Sequence, residues 1–146
     1  MAAPPNRVWA LVSDITRIGK FSPETFDAEW LGGATGPEVG ARFRGRVRRN
    51  GKRYLVYWTT CTITRCDPGR DFAFEVALVG TTKAVEWSYH IEPRDGGSDV
   101  TESFKLLEWF GSSVYAAFFE KARTRTNLTN MQATLDRVKV VAEARE

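Results

Sequence analysis

Arg42-Phe43-Arg44-Gly45-Arg46-Val47-Arg48-Arg49-Asn50-Gly51-Lys52-Arg53-Tyr54-Leu55-Val56-Tyr57-Trp58-Thr59 is the stretch whose reading decides the fold. Residue types alternate with period two on both sides of Asn50-Gly51. Asn-Gly between such runs is the preferred hairpin turn, because both residues tolerate the positive φ that a type I′ turn requires. With Asn50 and Gly51 as the two loop residues, Val47 pairs with Tyr54, Gly45 with Val56 and Phe43 with Trp58 on one face. The other face then pairs Arg48 with Arg53, Arg46 with Leu55, Arg44 with Tyr57 and Arg42 with Thr59. The register predicts an apolar, aromatic inner face and an arginine stripe outside that must be solvated or meet something acidic.

Alternation continues downstream. Asp67-Pro68-Gly69-Arg70 suits a type II turn, with Pro at the first central position and Gly at the second. Phe72, Phe74, Val76 and Leu78 then share one face of a strand. Val85, Trp87, Tyr89 and Ile91 do the same in the next, and Pro93 to Ser98 turns the chain again. The last strand, Asp99 to about Glu108, places Val100, Glu102, Phe104 and Leu106 on one side. From Ser112 the period becomes helical, with Val114, Ala117, Phe118, Lys121, Arg125, Leu128, Met131, Leu135, Val138 and Ala142 along one side. About 30 residues at 1.5 Å each span roughly 45 Å, enough to cross a sheet. Upstream of the hairpin, Pro4 to Ile15 reads as a helix with Pro5 in its first turn, Ile18 to Pro23 as a short helix or turn, and Asp27 to Leu31 as extended. The class is α+β: two short N-terminal helices, an antiparallel meander and one long C-terminal helix that a curved sheet must wrap.

With 146 residues, 42% of them hydrophobic and 27% charged, the chain reads as a single domain, 1–146, able to build a core without a disulfide or metal. No apolar run approaches the ~20 residues of a membrane span, and no secretory signal is legible, so a cytoplasmic location is expected. A net charge of +3, from 21 Lys+Arg against 18 Asp+Glu, is too mild to imply nucleic acid as a partner. Five Trp, nine Phe and four Tyr beside one His and two Cys favour an apolar binding interior over a metal site. Cys61 and Cys66, five apart on one strand, are expected to face opposite ways and stay unpaired. No nucleophile elbow, phosphate loop or dinucleotide fingerprint is present.

Several local motifs stand along the chain: Ala-Pro-Pro-x-x-Val-Trp-x-x-Val-Ser-Asp from Ala3 to Asp14, Phe21-Ser22-Pro23-Glu24, Ala28-Glu29-Trp30-Leu31-Gly32-Gly33, Val39-Gly40-Ala41-Arg42-Phe43 and Asp99-Val100-Thr101-Glu102-Ser103. With the order of elements, they resemble the SRPBCC (START-like, helix-grip) superfamily, nearest to its polyketide cyclase/dehydrase and lipid-transport branch. The resemblance covers essentially the whole chain and implies a cavity between the concave sheet and the long helix. It specifies function weakly, since the superfamily hosts carriers, receptors and cyclases. Members of the family usually carry an edge strand before the Ala-Pro-Pro helix. Met1 sits where that strand would end, so the family's first strand reads as missing or truncated, and the exposed last strand allows a homodimer.

Alternation independently supplies the lining of such a cavity: Phe43, Tyr54, Val56 and Trp58 from the hairpin, Phe72 and Phe74, Trp87 and Tyr89, then Phe104. The helix adds Phe118 and Leu128. Gly45 leaves room beside these rings. Glu102 is the one carboxylate that parity places among inward residues, where burial without a cation would raise its pKa and suit it to acid–base work or to anchoring a ligand. His90 has the opposite parity and is expected to face solvent. The favoured function is binding, transport or sequestration of a small hydrophobic, lipid-like or polyketide-like ligand. One alternative is a cofactor-independent polyketide cyclase/dehydratase in which Glu102 and Tyr54 or Tyr89 transfer protons. The other is a protein-interaction module acting through the arginine face. Neither a cofactor nor a metal is called for.

Overall fold

The computed structural model describes residues 1–49, 55–79, 82–107 and 114–144. Helix α1 (Pro5–Ser13) is followed by a 3-10 turn (Ile15–Lys20), six strands β1 (Thr25–Leu31), β2 (Arg42–Arg49), β3 (Leu55–Asp67), β4 (Asp71–Val79), β5 (Thr82–Arg94) and β6 (Gly97–Leu106), and helix α2 (Val114–Glu143). The strands form one antiparallel meander in the order β1-β2-β3-β4-β5-β6, which is the helix-grip plan. Pro5 opens α1, where its missing N–H would have had no helical partner. Asp14 ends that helix and starts the 3-10 turn, its carboxylate accepting from the Thr16 N–H at 3.2 Å.

The Asp67–Arg70 turn forms as its sequence demands. Arg70 N–H donates to Asp67 O at 3.0 Å, and Gly69 holds φ +78°, the left-handed value required at the second central position. This turn sets the phase of β3 from its distal end, pairing Cys61 with Val76 and Ile63 with Phe74 on the inner face. A bulge between Ile63 and Arg65 then brings Cys66 inward too, against Phe72, so the two cysteines face the same way and not opposite ways. Both are free thiols.

The β2–β3 register differs from the one that the Asn-Gly turn predicts. Arg49 pairs with Leu55, Val47 with Tyr57, Gly45 with Thr59 and Phe43 with Cys61. The partner of each β2 residue is therefore displaced by three positions along β3. An odd displacement exchanges the faces of the strand. Val56 and Trp58 accordingly stand outside beside Arg48 and Arg46, and Trp58 is 44% exposed. The physical reason lies in β4. The buried contacts of Cys61 and Ile63 with Val76 and Phe74 hold β3 in the opposite phase, which outweighs a turn preference of limited strength. The space beside Gly45 is taken by Thr25 and Thr59, not left open: a Cβ there would meet Thr25 Cγ2 at 3.2 Å and Thr59 Oγ1 at 3.4 Å.

Two apolar clusters form on the inner side. One gathers Ile15, Ala28, Phe43, Cys61, Ile63, Phe72, Phe74, Val76 and Tyr89, and its rings meet edge-on, Phe43 lying 5.2 Å from Phe74 and 6.0 Å from Trp30. The other joins α1 to the end of α2 through Val8, Leu11, Phe21, Ile91, Val138 and Ala142. Arg7 closes that junction by donating to Ala144 O at 2.7 Å, where the last carbonyls of α2 lack helical donors. At the β6 edge, Met1 and Ser98 exchange both backbone hydrogen bonds, at 2.7 and 2.9 Å, forming one rung of an antiparallel ladder.

Candidate functional site

The inner face of β5 and β6 carries three successive cross-strand pairs, Ile91 with Val100, Tyr89 with Glu102, and Trp87 with Phe104. Alternation along both strands puts all six side chains on the side facing the helices. Within this apolar row, Tyr89 donates its hydroxyl to Glu102 Oε1 at 2.9 Å. The other carboxylate oxygen, Oε2, is buried and has no hydrogen-bond partner among the described residues. A buried acceptor left open costs about 1–3 kcal/mol, so such an atom is poised for a donor brought by a ligand.

Burial pushes the Glu102 carboxyl up to about 7, partly offset by the Tyr89 hydrogen bond, which favours the ionised form. Near neutral pH the group is therefore divided between acid and carboxylate. The Tyr89 phenol is held well above its usual range by burial, then by the adjacent Glu102 charge and by the hydrogen bond it donates. Tyr89 consequently acts as a donor and not as a base. Trp87 and Phe104 flank the pair as a tilted aromatic wall, 5.6 Å between ring centroids, and both are half-buried. The arrangement offers a ligand one aromatic surface, one open carboxyl oxygen and, in that carboxyl, a group able to give or take a proton.

The residues expected to line a cavity separate into groups. Tyr89, Trp87 and Phe104 accompany Glu102 at the β5–β6 end. Phe43, Phe72 and Phe74 are on the inner face but fully buried and packed against one another, which makes them core. Val56 and Trp58 lie on the outer face and are removed from the lining by the β3 register. Leu128 is 56% exposed, because the buried stripe of α2 runs through Asn127, Thr134, Val138 and Ala142, one residue to its side. Tyr54 and the side chains of Phe118 and Leu78 lie outside the described residues.

Reading apolar periodicity passed over Asn127 and Thr134, because both are polar. Their seven-residue spacing, in step with Val138, is the signal that could have found them. His90 faces outward as its parity required, with Nδ1 2.9 Å from Asp71 Oδ1. Among the described residues no group of three or more His, Cys, Asp or Glu is placed to hold a metal ion, and no helix is long and apolar enough to cross a membrane.

Comparison with known proteins bears on the family and the fold. The model of the family described as polyketide cyclase / dehydrase and lipid transport matches residues 1–143. A polyketide-cyclase-like protein of Corynebacterium glutamicum, solved in solution, is 31% identical with a TM-score of 0.52, over 98% of this chain and 80% of that one. A protein of Chromobacterium violaceum superimposes with a TM-score of 0.71 at 13% identity, covering 99% of this chain and 93% of that one. The di-domain ARO/CYC BexL from the BE-7585A biosynthetic pathway has a TM-score of 0.67 at 21% identity, over 100% of this chain and 48% of that one. The last two likenesses concern the fold alone. No protein of curated function matches the sequence.

Proposed function

Because this chain belongs to the polyketide cyclase / dehydrase and lipid transport family, we propose that it binds a small hydrophobic, polyketide-like or lipid-like ligand on the inner face of β5 and β6. The Glu102–Tyr89 pair is the polar anchor. The observation that carries this reading is the buried, unpartnered Oε2 of Glu102 beside the Trp87–Phe104 wall. A ligand hydroxyl or enol donating to that oxygen would remove its desolvation cost, while the rings bury the apolar part. Gentle mass spectrometry of protein purified from its own host tests this, with a retained apolar ligand as the expected result. Glu102→Leu should abolish that retention. Recovery of the variant with its ligand at full occupancy would refute the anchoring role.

A second reading, proton-transfer catalysis on a poly-carbonyl substrate, is favoured by one observation, the carboxyl held at about 7. Glu102 as carboxylate takes a proton from a carbon between two carbonyls, and the Tyr89 hydroxyl, turning from the now protonated Glu102 to the substrate, donates its one hydrogen to the enolate oxygen. No cofactor is needed. Glu102→Gln separates the two readings. It should abolish turnover of a model polyketone if the group transfers protons, and should alter affinity only severalfold if the group merely binds.

A further inference from the structure

On the opposite face of the sheet, β2 presents four arginines at alternate positions, Arg42, Arg44, Arg46 and Arg48, and the strand holds no acid. Arg44 lies over the Trp58 ring at 4.4 Å, and Arg46 lies 5.2 Å from both Trp58 and Phe26. Arg48 lies over Phe26 at 4.8 Å. The result is a ladder of guanidiniums and rings in the order Arg44, Trp58, Arg46, Phe26, Arg48. At the distal end of the same face Val56, the cross-strand partner of Arg48, is 47% exposed.

The nearby acids do not neutralise this array. Glu29 pairs with Arg44, and Asp27 of β1 stands opposite Arg46 without an ion pair to it. Glu86 is engaged by Arg65, Glu92 by His90, and Glu75 has a partner of its own, so two acids of β1 face four arginines. Among the described residues Arg42, Arg46 and Arg48 form no ion pair. The Arg46 Nε–H is buried without a hydrogen-bond acceptor among the described residues. A guanidinium stacked on a ring keeps its in-plane donors aimed at an anion, and stacking spares part of the ordering cost of binding one.

We propose that this face docks on an anionic lipid surface, with Arg42, Arg44, Arg46 and Arg48 meeting headgroup phosphates and Trp58 and Val56 entering the interfacial layer. Charge complementarity together with exposed apolar side chains on one strand pair points to that occupant. Indole and guanidinium are the groups that settle at the headgroup boundary, and each cation near such a surface contributes measurably to binding. A single-stranded nucleic acid fits less well, since the Trp58 ring that would receive a base is already stacked with guanidiniums. The site lies across the sheet from Glu102, so docking stands or falls independently of what the inner face holds.

The test is sedimentation of the intact protein with vesicles of phosphatidylcholine alone or with about a third phosphatidylserine. Binding only to the anionic vesicles is expected, weakening as salt rises from about 0.05 to about 0.5 M. Arg42→Gln/Arg48→Gln should weaken it roughly thirtyfold, and Trp58→Ala about fivefold, with circular dichroism melting used to confirm folding. Lys20→Gln/Lys139→Gln, which removes the same charge from the helical side, should leave it unchanged. Equal binding to neutral vesicles, no vesicle binding, or equal losses in both double variants would overturn the proposal. Capture of polyglutamate or polyuridylate without vesicle binding would also overturn it, in favour of an acidic protein or a nucleic acid.

Discussion

Glu102→Gln changes one proton and almost no volume, which makes it a direct probe of the buried carboxyl. In the folded protein the group titrates at about 7 against an ordinary 4.5, so over that interval the folded state holds a proton that the unfolded chain has released. Stability then falls as pH rises, because the native state binds more protons than the unfolded one. The penalty is absent below about pH 4.5, grows through the interval, and is fully present above about pH 7. At about 1.4 kcal/mol per pH unit, the separation amounts to about 3 kcal/mol. The amide introduced by this substitution would still accept from the Tyr89 hydroxyl but cannot ionise, so the variant lacks this loss. Urea unfolding of both proteins at intervals across the range isolates the effect, since every other titrating group cancels in the difference. The variant should gain on the parent steadily from acid to neutral pH and end about 3 kcal/mol ahead of its starting difference. Two curves that stay parallel throughout would refute the reasoning, and with it the claim that Glu102 is desolvated and unpaired by a cation.

The β3 register predicts that Phe43→Ala, at a buried edge-on contact with Trp30 and Phe74, costs about 3–5 kcal/mol in chemical denaturation, whereas Trp58→Ala on the outer face costs about 1 kcal/mol. Comparable losses would restore the alternative register. The hydrogen bond from His90 to Asp71 raises the imidazole pKa, with Glu92 adding to it, so its NMR titration midpoint should lie above 6.5 and fall towards that value in Asp71→Asn. The stability that protonated His90 contributes is present below pH 6.5 and disappears as pH rises through the folded midpoint, opposite to ordinary carboxylates. Burial pushes the Cys61 thiol up to about 12, so a thiol reagent acting on the native protein should label Cys66 well before Cys61, as peptide mapping would show.

Much of this molecule is legible without coordinates because its strands bury one face. Period-two alternation identified β4, β5 and β6 and the inward position of Glu102, and a single polar residue among apolar ones was enough to mark it. The hairpin was misread for a related reason. Val56 and Trp58 are apolar residues at outward positions, so hydrophobicity and the Asn-Gly turn pointed to the same wrong phase. Trp58 is satisfied outside by arginine, not by a core. The bulge in β3 has no composition signal, and it reversed the expected orientation of Cys66.

By itself the sequence determined the order and type of the elements, the type II turn at Gly69 and the family, since each depends on local dihedral preference or on a pattern carried along one strand. Only the tertiary structure decided which face of β3 meets the core, which rings are packing and which remain half-open, and that Tyr89 stands directly opposite Glu102. Those outcomes depend on register between strands, where a displacement by an odd number of residues exchanges the faces. The free energy that chooses among registers comes from contacts such as Ile63 with Phe74, which one strand cannot specify alone.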